Sequence, residues 1–433
     1  MRLRISWSRR DRKIPGGLQL ASSGATFKVA GLVVTDHEVE VPLDHSQPGG
    51  PTITVFAREV ASPDGGDRPY LVYLQGGPGH EASRPTALPP SPGWLDRALQ
   101  DYRVLLLDQR GTGRSAPVGA LPGLSPQEQA QYLSHFRADS IVADLEVMRL
   151  ALGVDRWSLL GQSFGGFCAL AYLSQAPDGL REVFFTGGLP PIGRGVDEVY
   201  EATYQRMEER NHRYYRTYPA DKQRVLELHR QLQEDQLILP GGDQLSSRRL
   251  RQLGIMLGMS GGQEQLHYIL ELPPNSPAFL HDLEAALGFA RNPLYAIIHE
   301  ACYADGVATR WSAQRVQPQL FQEHPELFTG EHVFSWMFEE YRALAPMREA
   351  AHLLADWPWP RLYDASVLRN NQVPAAAAIF ADDAYVERRF SEETAETVRG
   401  LRPWITNEYE HNALRVDGSR VLDRLIKLAR GLL

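Results

Sequence analysis

Cysteine is nearly absent from this 433-residue chain: there are two, Cys168 and Cys302, far apart in sequence. A disulfide-stapled scaffold and a CxxC metal or redox site are thereby excluded. Positive charge is not in excess either. The chain carries 45 Lys+Arg against 53 Asp+Glu, a formal net charge of −8 and a pI of about 5.9. That balance argues against a nucleic-acid or anionic-membrane surface, where clustered cations supply most of the attraction. Long hydrophobic runs are missing, and none approaches the roughly 18 apolar residues that span a bilayer. There is no internal repeat and no low-complexity tract, only a loop rich in Gly, Pro and Asp from Ser62 to Arg68.

With 43% hydrophobic residues, 23% charged and a mean hydropathy of −0.33, the composition is that of a soluble globular protein. The length allows two or three units, or one large core carrying an insertion, at roughly 150 residues per domain. Met1 to Lys13 is Arg-rich and includes the pair Arg9-Arg10. Ile-Pro-Gly-Gly follows instead of an apolar segment, so this stretch reads as a frayed basic terminus and the expected location is cytoplasmic.

The opening hundred residues read as strands and turns, with alternation from Lys28 to Leu43 and again from Thr52 to Val60. Three unalternated apolar runs follow, Tyr70 to Leu74, Arg103 to Leu107 and Trp157 to Leu160. Such runs suit strands covered on both faces, as in a parallel sheet. Between the last two, Ile141, Leu145, Met148 and Leu152 mark one face of a helix, which gives a βαβ rhythm. A fourth run, Glu182 to Thr186, ends at Gly187-Gly188, and the text then turns helical from about Leu189 to Ala345, as in Tyr200 to Tyr215 and Arg224 to Gln236. Val373 to Phe380 reads as a buried strand, Glu387 to Gly400 as a helix and Leu401 to Asn407 as a strand. Val421 to Leu432 reads as an amphipathic helix with Ser419 as its N-cap. The expected architecture is α/β: residues 1–188 and 346–433 form a mostly parallel sheet flanked by helices, and residues 189–345 form an inserted helical cap.

The strongest local signal is Gly161-Gln162-Ser163-Phe164-Gly165-Gly166, entered from a strand and continued by the helical text Cys168 to Gln175. Chance matches to Gly-x-Ser-x-Gly are common. The strand before and the helix after are what a nucleophile elbow requires, and they single out Ser163. A serine hydroxyl needs a histidine base and a carboxylate to orient that base, in chain order Ser, acid, His for this fold. Of 13 histidines, His411 follows a predicted strand near the C-terminus, where the last loop of such a sheet overhangs the elbow. The acid is expected just beyond the strand ending at Phe380, at Asp382 or Asp383. Adjacent side chains in extended chain point oppositely, so one faces the histidine and the other water, with Asp383 preferred. The developing oxyanion needs fixed N–H donors, expected from Phe164 and from Gly77 in the loop Gln75-Gly76-Gly77-Pro78-Gly79. A second stretch, Asp108-Gln109-Arg110-Gly111-Thr112-Gly113-Arg114-Ser115, lacks the Gly-Lys-Ser/Thr ending of a phosphate loop; Asp108 and the two arginines are expected to brace loops instead.

Together these three stretches resemble the proline iminopeptidase (prolyl aminopeptidase) family, serine peptidases of the α/β-hydrolase fold. Asn292-Pro293-Leu294-Tyr295-Ala296 through His299-Glu300, Gly330-Glu331 through Trp336-Met337-Phe338-Glu339 and Asp382-Asp383-Ala384-Tyr385-Val386 are similar to its longer bacterial branch, so the likeness spans about Leu71 to Gly418. Two departures stand out. Gln75 occupies the place where shorter members usually have histidine, and the acid strand lacks their Gly-Arg-x-Asp pattern. The resemblance implies removal of N-terminal proline from small peptides, with no metal and no cofactor.

A cationic secondary amine calls for carboxylates in the cap, because a buried charge left unpaired costs several kcal/mol. Glu300 and Glu339 stand out in apolar helical contexts, with Glu331 behind them. Tyr303, Trp311 and Phe334 are candidates to wall the proline ring, and Cys168 is expected to pack. Two other readings remain on the same scaffold: a serine esterase or amidase, and a non-catalytic binding protein.

Overall fold

The computed structural model describes residues 20–29, 31–87 and 90–433. The Arg-rich stretch from Met1 to Lys13 lies outside them. Nine strands form one sheet: β1 Leu20–Val29, β2 Leu32–Pro42, β3 Thr52–Ala61, β4 Tyr70–Leu74, β5 Arg103–Leu107, β6 Trp157–Gln162, β7 Leu180–Thr186, β8 Ala375–Phe380 and β9 Leu401–Thr406. Their order is β1-β2-β3-β5-β4-β6-β7-β8-β9. The pairs from β1 to β5 are antiparallel and those from β5 to β9 are parallel. β4, β6 and β8 are buried along their whole length, which is why they read as unbroken apolar runs. The fold is that of the α/β hydrolases.

One predicted element divides. The alternation from Lys28 to Leu43 is not a single strand, because the chain reverses near Gly31, at φ +86, and pairs β1 back on β2. Alternation alone cannot show such a turn, since both arms of a hairpin keep the same period. The last helix runs Gly418–Ala429 with Asp417 at its N-cap position and no side-chain cap bond. Ser419 is therefore not the cap; its hydroxyl donates to the Gly93 carbonyl at 2.8 Å.

Between Thr186 and Ala375 no described strand joins the nine-stranded sheet. This stretch is helical, beginning with Val196–Thr217 and Pro219–Glu234. The helices Arg348–Ala355 and Ala365–Arg369 pack back on Pro126–Leu133 and on the elbow helix Phe164–Gln175. Among the described residues no helix is long and apolar enough to cross a membrane.

Candidate active site

Ser163 sits between β6 and the helix Phe164–Gln175 at φ +53, ψ −125. A non-glycine residue held there costs on the order of 1–3 kcal/mol, so the turn persists only because its surroundings determine it. Those surroundings are backbone. A Cβ on Gly165 would collide with the Leu74 carbonyl at the end of β4, and one on Gly188 would lie 2.8 Å from the Ser163 nitrogen. Gly76, in the loop leaving β4, packs directly on Ser163, where a Cβ would stand 2.9 Å from the Ser163 Cβ and 3.6 Å from its Oγ. Gly77 follows at φ +132, a backbone that only glycine adopts readily. Phe164 opens the elbow helix, whose first N–H groups have no acceptor within the helix.

The loops after β8 and β9 bring Asp383 and His411 together. His411 Nδ1 donates to Asp383 Oδ2 at 2.8 Å, and Asp383 Oδ1 accepts the N–H groups of Tyr385 and Val386 at 2.9 and 3.1 Å. Asp383 is 1% exposed, whereas the Asp382 side chain is exposed to solvent. The two neighbours separate at a turn, not in extended chain, since the Asp383 N–H bonds the Phe380 carbonyl at 3.3 Å just past the strand. Gly187-Gly188 joins this pair to the elbow: Gly188 abuts the Ser163 backbone, and a Cβ on Gly187 would lie 3.1 Å from His411 Nδ1. Burial of His411 works against its charged form. The Asp383 carboxylate, with Glu331 adding to it, outweighs that and Arg415, and lifts the imidazole above its ordinary range.

The Asp108 stretch braces the glycine loop, through partners its sequence does not show. Asp108 is fully buried and accepts both terminal nitrogens of Arg84, at 2.9 and 2.7 Å, together with the Arg114 N–H at 2.9 Å. Gln109 Nε2 donates to the Gln75 carbonyl at 2.9 Å. Arg110 points away from the site and pairs with Asp144 beneath the loop at Pro42 and Leu43.

The three cap glutamates part company. Glu331 is half-buried and accepts the Tyr295 hydroxyl at 2.9 Å; its charge favours the protonated forms of His411 and His80. Glu300 is buried, and Oε1 accepts the Ala313 N–H at 2.9 Å. Burial pushes its carboxyl up to about 7, against the backbone N–H groups of Ala313 and Ser312. Glu339 is exposed, because in the single turn Met337–Glu340 it is Met337 and Phe338 that take the buried side. Apolar neighbours in sequence had suggested a buried carboxylate there; the turn places it in solvent.

Tyr200 was missed from sequence. Its side chain feels both Glu300 and Glu331, and its buried hydroxyl has no hydrogen-bond partner among the described residues. Tyr303 lies against Phe167 of the elbow helix and against Tyr200, with ring centroids 5.4 and 5.8 Å apart. Trp311 and Phe334 pack elsewhere, on Phe338 and Trp336. A cavity of about 210 Å³ opens beside Glu331, walled by His80, Ile255, Phe289, Tyr295 and Val333. Cys168 and Cys302 are unpaired and buried, and burial pushes both thiols up.

Comparison with known proteins decides the family. The chain is 49% identical to the proline iminopeptidase of Aeromonas sobria over 94% of its own length and 99% of that protein's. The chain belongs to the proline iminopeptidase family. A proline iminopeptidase of Aspergillus aculeatus is 36% identical over 90% of this chain and 92% of its own. Residues 69–283 match the α/β hydrolase fold family. Among solved structures, a 2-hydroxy-6-oxo-6-phenylhexa-2,4-dienoate hydrolase from Rhodococcus is 13% identical with a TM-score of 0.44, covering 92% of this chain and 99% of its own. The iminopeptidase relatives span the helical stretch as well as the sheet, so the family likeness includes the segment that carries Glu300 and Glu331.

Proposed function

We propose that this chain releases N-terminal proline from small peptides by acyl transfer through Ser163. The observation that carries the proposal is the buried bond between His411 and Asp383, set against the same Gly187-Gly188 turn that abuts the Ser163 backbone. In this reading His411 Nε2 takes the Ser163 proton as Oγ attacks the prolyl carbonyl, and Asp383 fixes the tautomer and steadies the imidazolium. The N–H groups of Gly77 and Phe164 hold the oxyanion. The tetrahedral intermediate collapses as His411 protonates the leaving amine, and water, deprotonated by the same imidazole, frees proline from the acyl-enzyme.

Residues 189–345 act as the cap that reads the substrate's amine. Glu331 is its principal counter-charge, and the Tyr200 hydroxyl supplies an acceptor. Glu300, whose carboxyl burial holds near 7, ionises fully when a cation arrives beside it. Tyr303 and the cavity beside Glu331 offer walls and room for a five-membered ring. A cytoplasmic setting belongs to the same proposal, and the two unpaired thiols are in keeping with it.

The test is a comparison of a Pro-arylamide with its N-acetylated form, with and without chelator. The free amine is expected to be hydrolysed, the blocked one rejected, and the chelator to change nothing. Equal rates on both would replace the peptidase reading with that of an esterase or amidase.

A further inference from the structure

We propose that Arg210, a cap residue that does not touch the reacting atoms, is a positioning residue that locks the loops carrying His411 and Asp383 to one another and to the cap. The inference rests on the triad reading given above. Arg210 lies in the helix Val196–Thr217 and is 3% exposed. Its Nη1 donates to Glu410 Oε1 at 2.7 Å, while Nη2 donates both to Glu410 Oε2 and to the Asp382 carbonyl. Glu410 and Asp382 are the residues immediately before His411 and Asp383. One planar guanidinium therefore ties two loops that also meet through the His411–Asp383 bond, the edge-on packing of Tyr385 against His411 and the bond from the Ala381 N–H to the Thr406 carbonyl.

The grip extends beyond Arg210. The His411 N–H donates to the Gly258 carbonyl at 3.2 Å, the Ser260 N–H to Asn412 Oδ1 at 2.9 Å, and the Glu410 N–H to Ser260 Oγ at 3.4 Å. All of these partners of the base loop come from the helical insertion. An α/β unit that formed its triad alone would have no need of them.

Consecutive Cα atoms are about 3.8 Å apart across a rigid peptide, so Glu410 and Asp382 are the nearest points from which the backbone of His411 and Asp383 can be held in place. A misplacement of about 1 Å at a reacting group can cost on the order of 10²-fold in rate. Lysine cannot replace the clamp, because an ammonium is a point charge without the fork that reaches two carboxylate oxygens and a carbonyl together.

The experiment compares Arg210→Met, Arg210→Lys and Glu410→Gln with the parent on Pro-arylamide, alongside Ser163→Ala. Thermal melting checks folding, and fluorophosphonate titration counts reactive Ser163. For folded Arg210→Met we expect kcat per titrated site to fall by about 10- to 100-fold, with KM within about two-fold, the signature of lost alignment rather than lost binding. Arg210→Lys is expected to recover melting temperature and not kcat. Glu410→Gln keeps the Asp382 carbonyl link and is expected to lose about 3- to 10-fold in kcat, as two charge-assisted bonds of the clamp are replaced by one neutral bond to the amide oxygen. If Arg210→Met does not fold, Glu410→Gln carries the test. Parental kcat per site in folded Arg210→Met or Glu410→Gln, or full recovery of kcat by Arg210→Lys, would overturn the inference. Retention of most peptidase activity in Ser163→Ala would instead overturn the triad reading, whatever the Arg210 variants do.

Discussion

The sheet and the helical insertion reach the site by different means. Around Ser163 the sheet works with backbone: the Leu74 carbonyl presses on Gly165, the Gly187-Gly188 turn on the elbow, and Gly76 on the nucleophile's Cβ. The insertion works with side chains: Glu331 held by Tyr295, Tyr200 against Tyr303, and Arg210 on the loops of His411 and Asp383. Backbone approach admits only glycine at fixed places, whereas a side chain can be delivered from many positions on a helix. The first kind of construction leaves a spelling in the sequence; the second leaves almost none.

Four measurements would break or sharpen this contrast. The largest effect is expected on the sheet side, where Ser163→Ala should lower kcat by about 10⁶ if nucleophile, base and acid act as a unit. Next, Asp383→Asn should cost about 10³ to 10⁴ in kcat by upsetting the imidazole tautomer. Asp382→Asn keeps its carbonyl and loses only a solvent-facing charge, so it should stay within about two-fold; reversal of this order would mean that the loop is wound differently. On the cap side, Glu331→Gln should lower kcat/KM for the free-amine substrate by about 10²-fold, the loss of a partly buried charge pair. Glu339→Gln should change it by less than about two-fold. Comparable losses in both glutamate variants would show that the cap reads the amine through its general field and not through one carboxylate.

The smallest effect is a displacement of the pH profile. His411 must be neutral to accept the Ser163 proton, and its charged form is favoured by Asp383 and Glu331 over the opposition of burial and Arg415. Activity should therefore fall as pH drops through a value above the ordinary histidine pKa of about 6.5. Removing the Glu331 charge should move this acidic limb downward, and a limb that stays in place would place Glu331 too far away to act on the base.

Legibility followed the same division. The turn at Ser163 is legible because a tight strand-to-helix turn needs small residues on both sides, and the loop of His411 because few histidines follow a late strand. Asp383 could be separated from Asp382 only as a preference, since alternation tells that two neighbours diverge and not which way each points. Glu339 was misjudged because Trp336 and Phe338 beside it in sequence say nothing about which side of one turn is buried. Arg84, Tyr200 and Arg210 carried no signal at all, being ordinary residues in ordinary loop or helical text.

The buried strands of the parallel sheet, the helical interruption after β7 and the tight glycine-flanked turn at Ser163 are written in the sequence, because hydrophobic period and glycine placement are local consequences of backbone sterics. Which carboxylate of the insertion faces the site, and which arginine ties its loops, was decided only by the packing of the insertion on the sheet. Such choices depend on contacts between residues 200 or more positions apart, as in the bonds from Arg210 to Glu410 and from Asn292 to the Gly79 carbonyl, and a one-dimensional pattern holds no record of them.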